Sequence, residues 1–296
     1  MLVIPGEAIA VATERPDGSV GVAEPSGAPA IAAFVAAALG TPTAFLGAVG
    51  EDEDGRRLGN RLVDAGVQPE GILIRPDRPT ATAIVRYAAD GGRSFRFSVA
   101  GSAAVDVHPD DLRALWDALA EPCSWLHVSG SALLFGAPLA DTVLLAAEQA
   151  RAAGAVVSVD PNLRAELVGS PLAARLADLC ATADVLFPSD GELEGLGLDE
   201  DALVRTGATV VHTSAERGSR VRRGDLDVRV PAVARAEEVV DPDGAGDTFA
   251  GAVIAGRLAG LDWEGAVRRA SDVVARAIGV PGPMTVALSP ADLATP

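Results

Sequence analysis

Apolar residues run from Leu2 to Ile4, stop at Gly6-Glu7, and then alternate weakly with polar ones to Glu24 around Arg15-Pro16-Asp17-Gly18. The run predicts a short strand, and the alternation a hairpin lying mostly in solvent. From Gly27 to Leu39 the chain is almost wholly apolar, which predicts a buried helix. A strand over Thr43 to Val49 comes next, then Gly50 to Gly55 leads into a helix to about Ala65, with Gly66 as its stop. Thr80 to Tyr87 and Arg93 to Ala100 are β-rich and flank Ala88-Ala89-Asp90-Gly91-Gly92, a second hairpin. The two hairpins, at about 10–25 and 79–101, form a small β-lid distinct in character from the rest.

After Pro109 the pattern becomes regular. Strands near Trp125 to Ser129, Val156 to Asp160, Val185 to Phe187 and Thr209 to Thr213 alternate with helices near Pro138 to Ala153, Pro171 to Ala183 and Leu193 to Arg205. Such alternation predicts an α/β fold, a mostly parallel central sheet sandwiched by helices. Arg220 to Val230 reads as a hairpin turning at Gly224-Asp225, and a last helix spans Glu264 to Ile278. No repeat or long linker divides the chain, so one domain over 1–296 is expected. In open parallel sheets ligands bind beyond the carboxyl ends of the strands. Asp160-Pro161-Asn162-x-Arg164, Pro188-Ser189-Asp190-Gly191-Glu192 and Thr213-Ser214-Ala215 all fall there.

Composition narrows the chemistry. The chain has 296 residues, 49% of them hydrophobic, and a net charge of −17, which argues against an extended nucleic-acid or anionic-membrane surface. All 24 basic residues are arginine. That excludes a Walker A lysine, a protein-kinase strand lysine and Schiff-base catalysis. Cys123 and Cys180 are far apart and in no C-x-x-C, as expected of buried thiols in a reducing compartment. His108, His127 and His212 lack zinc-site spacing and read as structural. The acidic run Glu51 to Asp54 has no EF-hand spacing and reads as the solvated start of a helix. The N-terminus has no signal-peptide pattern and the apolar run Ala28 to Leu39 is too short for a bilayer, so a cytoplasmic protein is expected.

One stretch concentrates candidate chemistry. Val239-Val240 reads as the end of a strand, Asp241-Pro242 stops it, Gly244-Ala245-Gly246 turns, and Asp247 heads an apolar run from Phe249 to Leu261. A helix N-terminus carries unpaired N–H groups and about half a positive charge, so it receives an anion. A carboxylate at its mouth can accept a hydroxyl proton. A bare G-x-G-D is equally a simple helix cap.

The longer string Asp241-Pro242-Asp243-Gly244-Ala245-Gly246-Asp247-Thr248-Phe249-Ala250-Gly251 resembles the C-terminal signature of the ribokinase-like, or PfkB, carbohydrate kinases. Gly6-Glu7, Ser26-Gly27-Ala28-Pro29-Ala30, Gly50-Glu51-Asp52 to Gly55 and Asp160-Pro161-Asn162-Leu163-Arg164 resemble further motifs of that family. The resemblance implies a ribokinase-like fold, ATP as phosphoryl donor, Mg2+, a sugar acceptor, and K+ as a candidate activator. It implies Asp247 as the base, with the Gly244, Ala245 and Gly246 amides as an anion hole. Gly27, Ser102 and Arg164 would meet the sugar, although Arg164 can also be read as a surface ion pair. Ser189, Thr213, Ala215, Gly218 and Ser271 would bind the nucleotide, the last as part of an adenine-lining stretch from Ser271 to Gly282. Glu192 would act through hydrated magnesium and Asp241 beside a potassium ion. Pairing of lids, frequent in the family, implies a homodimer. Ala100-Gly101-Ser102-Ala103-Ala104 and Gly282-Pro283-Met284 resemble a subgroup assigned to tagatose, near the 2-keto-3-deoxygluconate kinases.

Several positions depart from the pattern. Val11 and Ile31 stand where ribokinase-type members carry Asp and Asn on the sugar hydroxyls, which disfavours ribose and adenosine. Ser189 replaces an Asn, Ala215 a glycine, and Asp243 a Thr or Val. An extra carboxylate there repels nucleotide phosphates unless magnesium or solvent screens it. These substitutions motivate a second reading, a sensor on a kinase scaffold that binds ligand without turnover. The intact Gly244-Ala245-Gly246-Asp247 argues against it. A nicotinamide dehydrogenase is weaker still, because Phe249 stands where the third glycine of its motif belongs.

Overall fold

The computed structural model describes residues 1–14, 17–87, 93–163, 169–233 and 239–294. Strands β1 (Leu2–Pro5), β4 (Thr43–Gly50), β9 (Trp125–Ser129), β10 (Val156–Asp160), β11 (Val185–Leu186) and β12 (Thr209–Thr213) run parallel in one sheet. The hairpin of β13 (Ser219–Arg223) and β14 (Leu226–Val230) closes one edge antiparallel. At the other edge β5 (Val67–Gln68) and β6 (Ile72–Arg75) both pair with β4. Among the described residues the order is β14-β13-β12-β11-β10-β9-β1-β4-β5. Connections leave β1 toward β4 but leave β9 toward β10, so the strand order reverses beside β1, the place where such sheets open a crevice.

The period of two along the strands divides the core. Leu2, Ile4, Phe45 and Val211 face one layer of helices, while Val3, Leu46, Leu126 and Val210 face the other. The first layer holds α1 (Ala28–Ala38), α2 (Glu53–Asp64), α8 (Ala245–Leu258) and α9 (Trp263–Ala277). The second holds α3 (Pro109–Ala118), α4 (Ala137–Ala152) and α5 (Pro171–Ala181). Every residue of α1 from Ala28 to Ala37 is buried, as its unbroken apolar sequence requires.

A separate four-stranded sheet has the order β3 (Glu24–Ser26), β2 (Ile9–Glu14), β7 (Ala81–Tyr87), β8 (Arg93–Ser98). Its two central strands are parallel, with Ile9 opposite Ala81 and Glu14 opposite Arg86. The first hairpin is thus exposed beyond its root, while its root is built into this sheet. Pairing with β7 buries Ile9, Ala10 and Ala12, while Thr13, Asp17 to Val20 and Val22 are exposed among the described residues. The turns at 15–16 and 88–92 lie outside the described residues.

Two expectations are corrected. The segment Leu193 to Arg205 is two short helices, α6 (Glu192–Gly195) and α7 (Glu200–Arg205), because Gly197 adopts φ 70° and Asp199 caps Ala202 at 2.6 Å. Val239-Val240 joins no strand. Val240 is 61% exposed, and its amide and that of Asp241 both donate to the Ile278 carbonyl just past α9. The two valines resemble a strand end in sequence, but the Val240 and Asp241 amides satisfy a helix end instead.

The acidic run after β4 is also more than a solvated helix start. Asp52 caps α2 through Gly55 N at 2.8 Å and accepts from Thr80 N at 2.7 Å and Thr80 Oγ1 at 2.6 Å. Gly50 N donates to Thr80 Oγ1 at 3.0 Å. Burial pushes the Asp52 carboxyl up, but the Thr80 and Gly55 hydrogen bonds outweigh it and hold the group below its ordinary value. This clip fastens the root of β7 to the central sheet.

Candidate active site

The carboxyl ends of β10, β11 and β12 are tied together by hydrogen bonds that begin at α8. Gly244 caps that helix at φ 72°, a conformation that favours glycine, and a side chain there would strike Ile31 and Pro283. Asp247 is the third residue of the helix. Its Oδ1 accepts from Asn162 Nδ2 at 3.3 Å. Asn162 sits just past β10 at φ 39°, where asparagine is tolerated, and its amide N–H is held by Asp160 Oδ1 at 2.9 Å. Leu163 N then donates to Glu192 Oε1 at 2.7 Å, and Ser189 N to Glu192 Oε2 at 2.7 Å. Ser189 Oγ meets Thr213 Oγ1 at 3.2 Å, and Thr213 N donates to Pro188 O at 2.9 Å. Thus Asp247, Asn162, Glu192, Ser189 and Thr213 form one connected set.

The mouth of α8 is open on the side of Gly246. A methyl group on Gly246 would find nothing within 4 Å, so the space beside that amide is open. The Ala245 amide leans toward Pro242 O at 3.4 Å, a long contact that leaves it available to a better acceptor. Asp241 braces the turn from behind, its Oδ1 accepting from Asp243 N and its Oδ2 from Gly282 N, each at 3.0 Å. Asp243 is half-buried on this brace. Ile31 is buried and packs against Gly244, so its apolar side chain supports the turn. Val11 is half-buried on β2.

Beyond Thr213, Ala215 adopts φ 44° and Gly218 φ 87°, bounding a tight turn. The left-handed angle at Ala215 explains why glycine suits that position. Asp190 fixes the turn by accepting from Ser214 Oγ at 2.9 Å and Arg217 Nη2 at 2.6 Å. The Ser214 hydroxyl chiefly, with His212 and Arg217, holds the Asp190 carboxyl below its ordinary value.

Other expected site residues stand apart from this hydrogen-bonded set. The bare face of Gly27 lies against the backbone of Glu7 to Ile9, so that glycine serves close packing as the cap of α1. Ser102 is buried and its hydroxyl has no partner among the described residues. Ser271 turns its hydroxyl back to Val267 O within α9 at 3.0 Å. A cleft of about 400 Å³ lies between Val230–Val233 and the α9 residues Gly265, Arg268, Arg269 and Asp272, and Ser271 is not among its lining residues. Arg164 lies outside the described residues. Asn162 and Asp190, which the sequence placed only within strand-end stretches, and His212, read there as structural, are built into the connections here.

Among the described residues no group of three or more His, Cys, Asp or Glu side chains is disposed to hold a metal ion. Glu192 and Asp241 offer single carboxylates whose oxygens already accept backbone N–H groups and keep further lone pairs. That donor set suits a hard cation brought with other oxygen ligands.

The profile of the pfkB family of carbohydrate kinases matches residues 8–290. The chain belongs to that family. This carbohydrate kinase is 36% identical over 240 residues to fructokinase-1 of Zea mays, covering 78% of this chain and 72% of the relative. Its fold is similar to that of a candidate ribokinase II of E. coli in complex with ATP and Mg2+, with a TM-score of 0.87, 29% identity, and coverage of 99% and 97% of the two chains. A double mutant of the fructokinase from Vibrio cholerae O395, bound to fructose, ADP and a potassium ion, superposes with a TM-score of 0.82 and 28% identity over 99% and 96% of the two chains. The kinase thus has a ribokinase-like α/β architecture with a separate small sheet. No helix among the described residues is long and apolar enough to cross a membrane.

Proposed function

We propose that this carbohydrate kinase transfers the γ-phosphoryl group of ATP to a primary hydroxyl of a keto-sugar or sugar acid, with Asp247 as the base. The observation that carries this reading is the Asp247 carboxylate, aimed by Asn162 and set at the anion-receptive N-terminus of α8. Asp247 takes the proton of the sugar hydroxyl as that oxygen bonds to the γ-phosphorus and the bond to the β-phosphate oxygen breaks, releasing ADP. The Gly244, Ala245 and Gly246 amides hold the charge on the migrating group. Fructokinases among the relatives make fructose the first acceptor to test, with tagatose and 2-keto-3-deoxygluconate next.

The remaining site residues have separate tasks. Thr213, Ala215 and Gly218 receive the nucleotide phosphates, Ser189 flanks them, and Ser271 borders the adenine. Glu192 would hold water bound to a magnesium ion, and Asp241, with backbone carbonyls of its turn, would suit a potassium ion. When bound, magnesium neutralises charge on the phosphates, which also answers the repulsion expected from Asp243. Ser102 supplies its hydroxyl, unpartnered among the described residues, to the sugar, and Gly27 and Arg164 are the other residues assigned to it. Exposed Val20, Val22 and Phe97 on the lid suit a homodimer, which light scattering at micromolar protein tests.

An ADP-release screen with MgATP and potassium, across fructose, tagatose, 2-keto-3-deoxygluconate, ribose and adenosine, tests the reading. Turnover with a keto-sugar or sugar acid that Asp247→Ala abolishes is the expected result. Turnover that survives Asp247→Ala removes the base assignment, and turnover restricted to ribose or adenosine removes the acceptor class.

A further inference from the structure

His212 is the last but one residue of β12 and lies between two carboxylates on different elements. Its Nδ1 is 3.0 Å from Glu200 Oε2 on α7, and its Nε2 is 3.1 Å from Asp190 Oδ1 in the turn after β11. An ionised carboxylate only accepts, so each ring nitrogen must carry a proton to make both bonds. Only the imidazolium does that. Burial pushes the Glu200 carboxyl up, but His212 and Arg222 outweigh it and leave it below its ordinary value. Asp190 is also held low. Both partners are therefore acceptors across the neutral range.

The other charges around His212 are already engaged. Arg222 on β13 pairs with Glu200 at 2.9 Å and Asp201 at 2.7 Å. Arg220, the cross-strand neighbour of His212, donates to Asp227 on β14 at 2.6 Å. Arg217 donates to the second oxygen of Asp190. Asp190 therefore has His212 on one side and the turn from Thr213 to Gly218 on the other, held through Ser214 and Arg217.

We infer that His212 is a positioning residue for the nucleotide: as an imidazolium it holds Asp190, and through Asp190 the Thr213–Gly218 turn, in the shape that receives the phosphates of MgATP. The inference rests on the reading of that turn as the phosphate-binding one. His212 touches neither substrate; it acts through Asp190. Loss of either ring proton turns a lone pair toward a carboxylate, releases one end of the clip and lets the turn relax.

The test is the calorimetric affinity for MgATP of the wild type, His212→Phe, His212→Gln and Asp190→Asn, with the KM for sugar measured alongside. In His212→Phe the affinity falls roughly 10- to 100-fold, the range for losing a charge-assisted hydrogen bond, while the sugar KM does not move. Asp190→Asn, which removes the charged acceptor of the same clip, lowers MgATP affinity by a similar factor. Should His212→Phe fail to fold, His212→Gln carries the test, since its amide can serve only one carboxylate at a time. A folded variant with wild-type MgATP affinity overturns the inference. Equal losses for MgATP and sugar overturn it too, because they mark a general structural role. A wild type that binds MgATP but phosphorylates none of the sugars defeats the proposed acceptor class and leaves this affinity comparison decisive; a wild type that binds no MgATP defeats both.

Discussion

Asn162 donates its side-chain amide to Asp247 across 3.3 Å, so the carboxylate in the first turn of α8 is aimed from the end of β10, 85 positions earlier in the chain. The donor is itself fixed, because Asp160 holds the Asn162 amide N–H at 2.9 Å and the backbone there is left-handed at φ 39°. Removing the amide should misaim the base. Asn162→Gly, which keeps the backbone conformation, is expected to lower kcat by up to roughly 10²-fold, the cost of a small misplacement at a reacting centre. Asn162→Ala should add a loss of thermal stability from the strained backbone. Steady-state kinetics with thermal melts of both variants check this; an unchanged kcat in Asn162→Gly means that another group aims Asp247.

Asp247→Ala should lower kcat by roughly 10²- to 10⁴-fold, the usual effect of losing a general base. MgATP affinity should be nearly kept, since the helix amides are untouched. Turnover within a fewfold of the wild type would refute the assignment.

The lid clip gives a prediction about stability and its pH dependence. Thr80→Val removes the hydroxyl that donates to Asp52 and accepts from Gly50 N, and should destabilise the protein by about 1–3 kcal/mol, the cost of leaving buried polar groups unpaired. The Asp52 carboxyl is held below its ordinary value in the folded state, so its contribution is present above the unfolded-state value and is lost as pH falls through the folded one. Thermal melts between neutral and acidic pH should converge for wild type and Thr80→Val as Asp52 protonates. Parallel curves would show that Asp52 does not couple to Thr80.

Ala215 adopts φ 44° at the head of the turn that follows β12. The left-handed conformation costs a non-glycine residue about 1–2 kcal/mol, offset in part by glycine's greater freedom in the unfolded chain. Ala215→Gly should therefore raise the melting temperature, corresponding to a gain of roughly 0.5–1 kcal/mol. A lower melting temperature, measured by calorimetry, would show that the turn gains more from the methyl group than it loses to strain.

The alternation of apolar strands and helices after Pro109 is local in the chain, and so the order α/β and a parallel sheet were legible in it. Asp247 and its glycine turn were legible for the same reason, since a helix start and its cap are built from neighbours. Where the signal was equally local but the use was not, sequence reading failed. Val239-Val240 has the composition of a strand end, yet the Val240 and Asp241 amides close the end of α9 at Ile278, a partner the local pattern does not contain. Leu193 to Arg205 has the length of one helix, and the short-range demands of Gly197 and Asp199 divide it.

The sequence by itself determined the α/β order, the buried α1 and the glycine turn ahead of Asp247, because these depend on side chains within a few residues of one another. Only the tertiary structure decided which of those groups meet. The parallel pairing of β2 with β7 made the lid one sheet, and the adjacency of β10, β11 and β12 brought Asn162, Glu192, Ser189 and Thr213 into one network. It also placed His212 between Glu200 and Asp190. Such contacts are set by strand order and register across long stretches of chain, and a hydrogen bond between distant residues leaves no periodic trace in either segment.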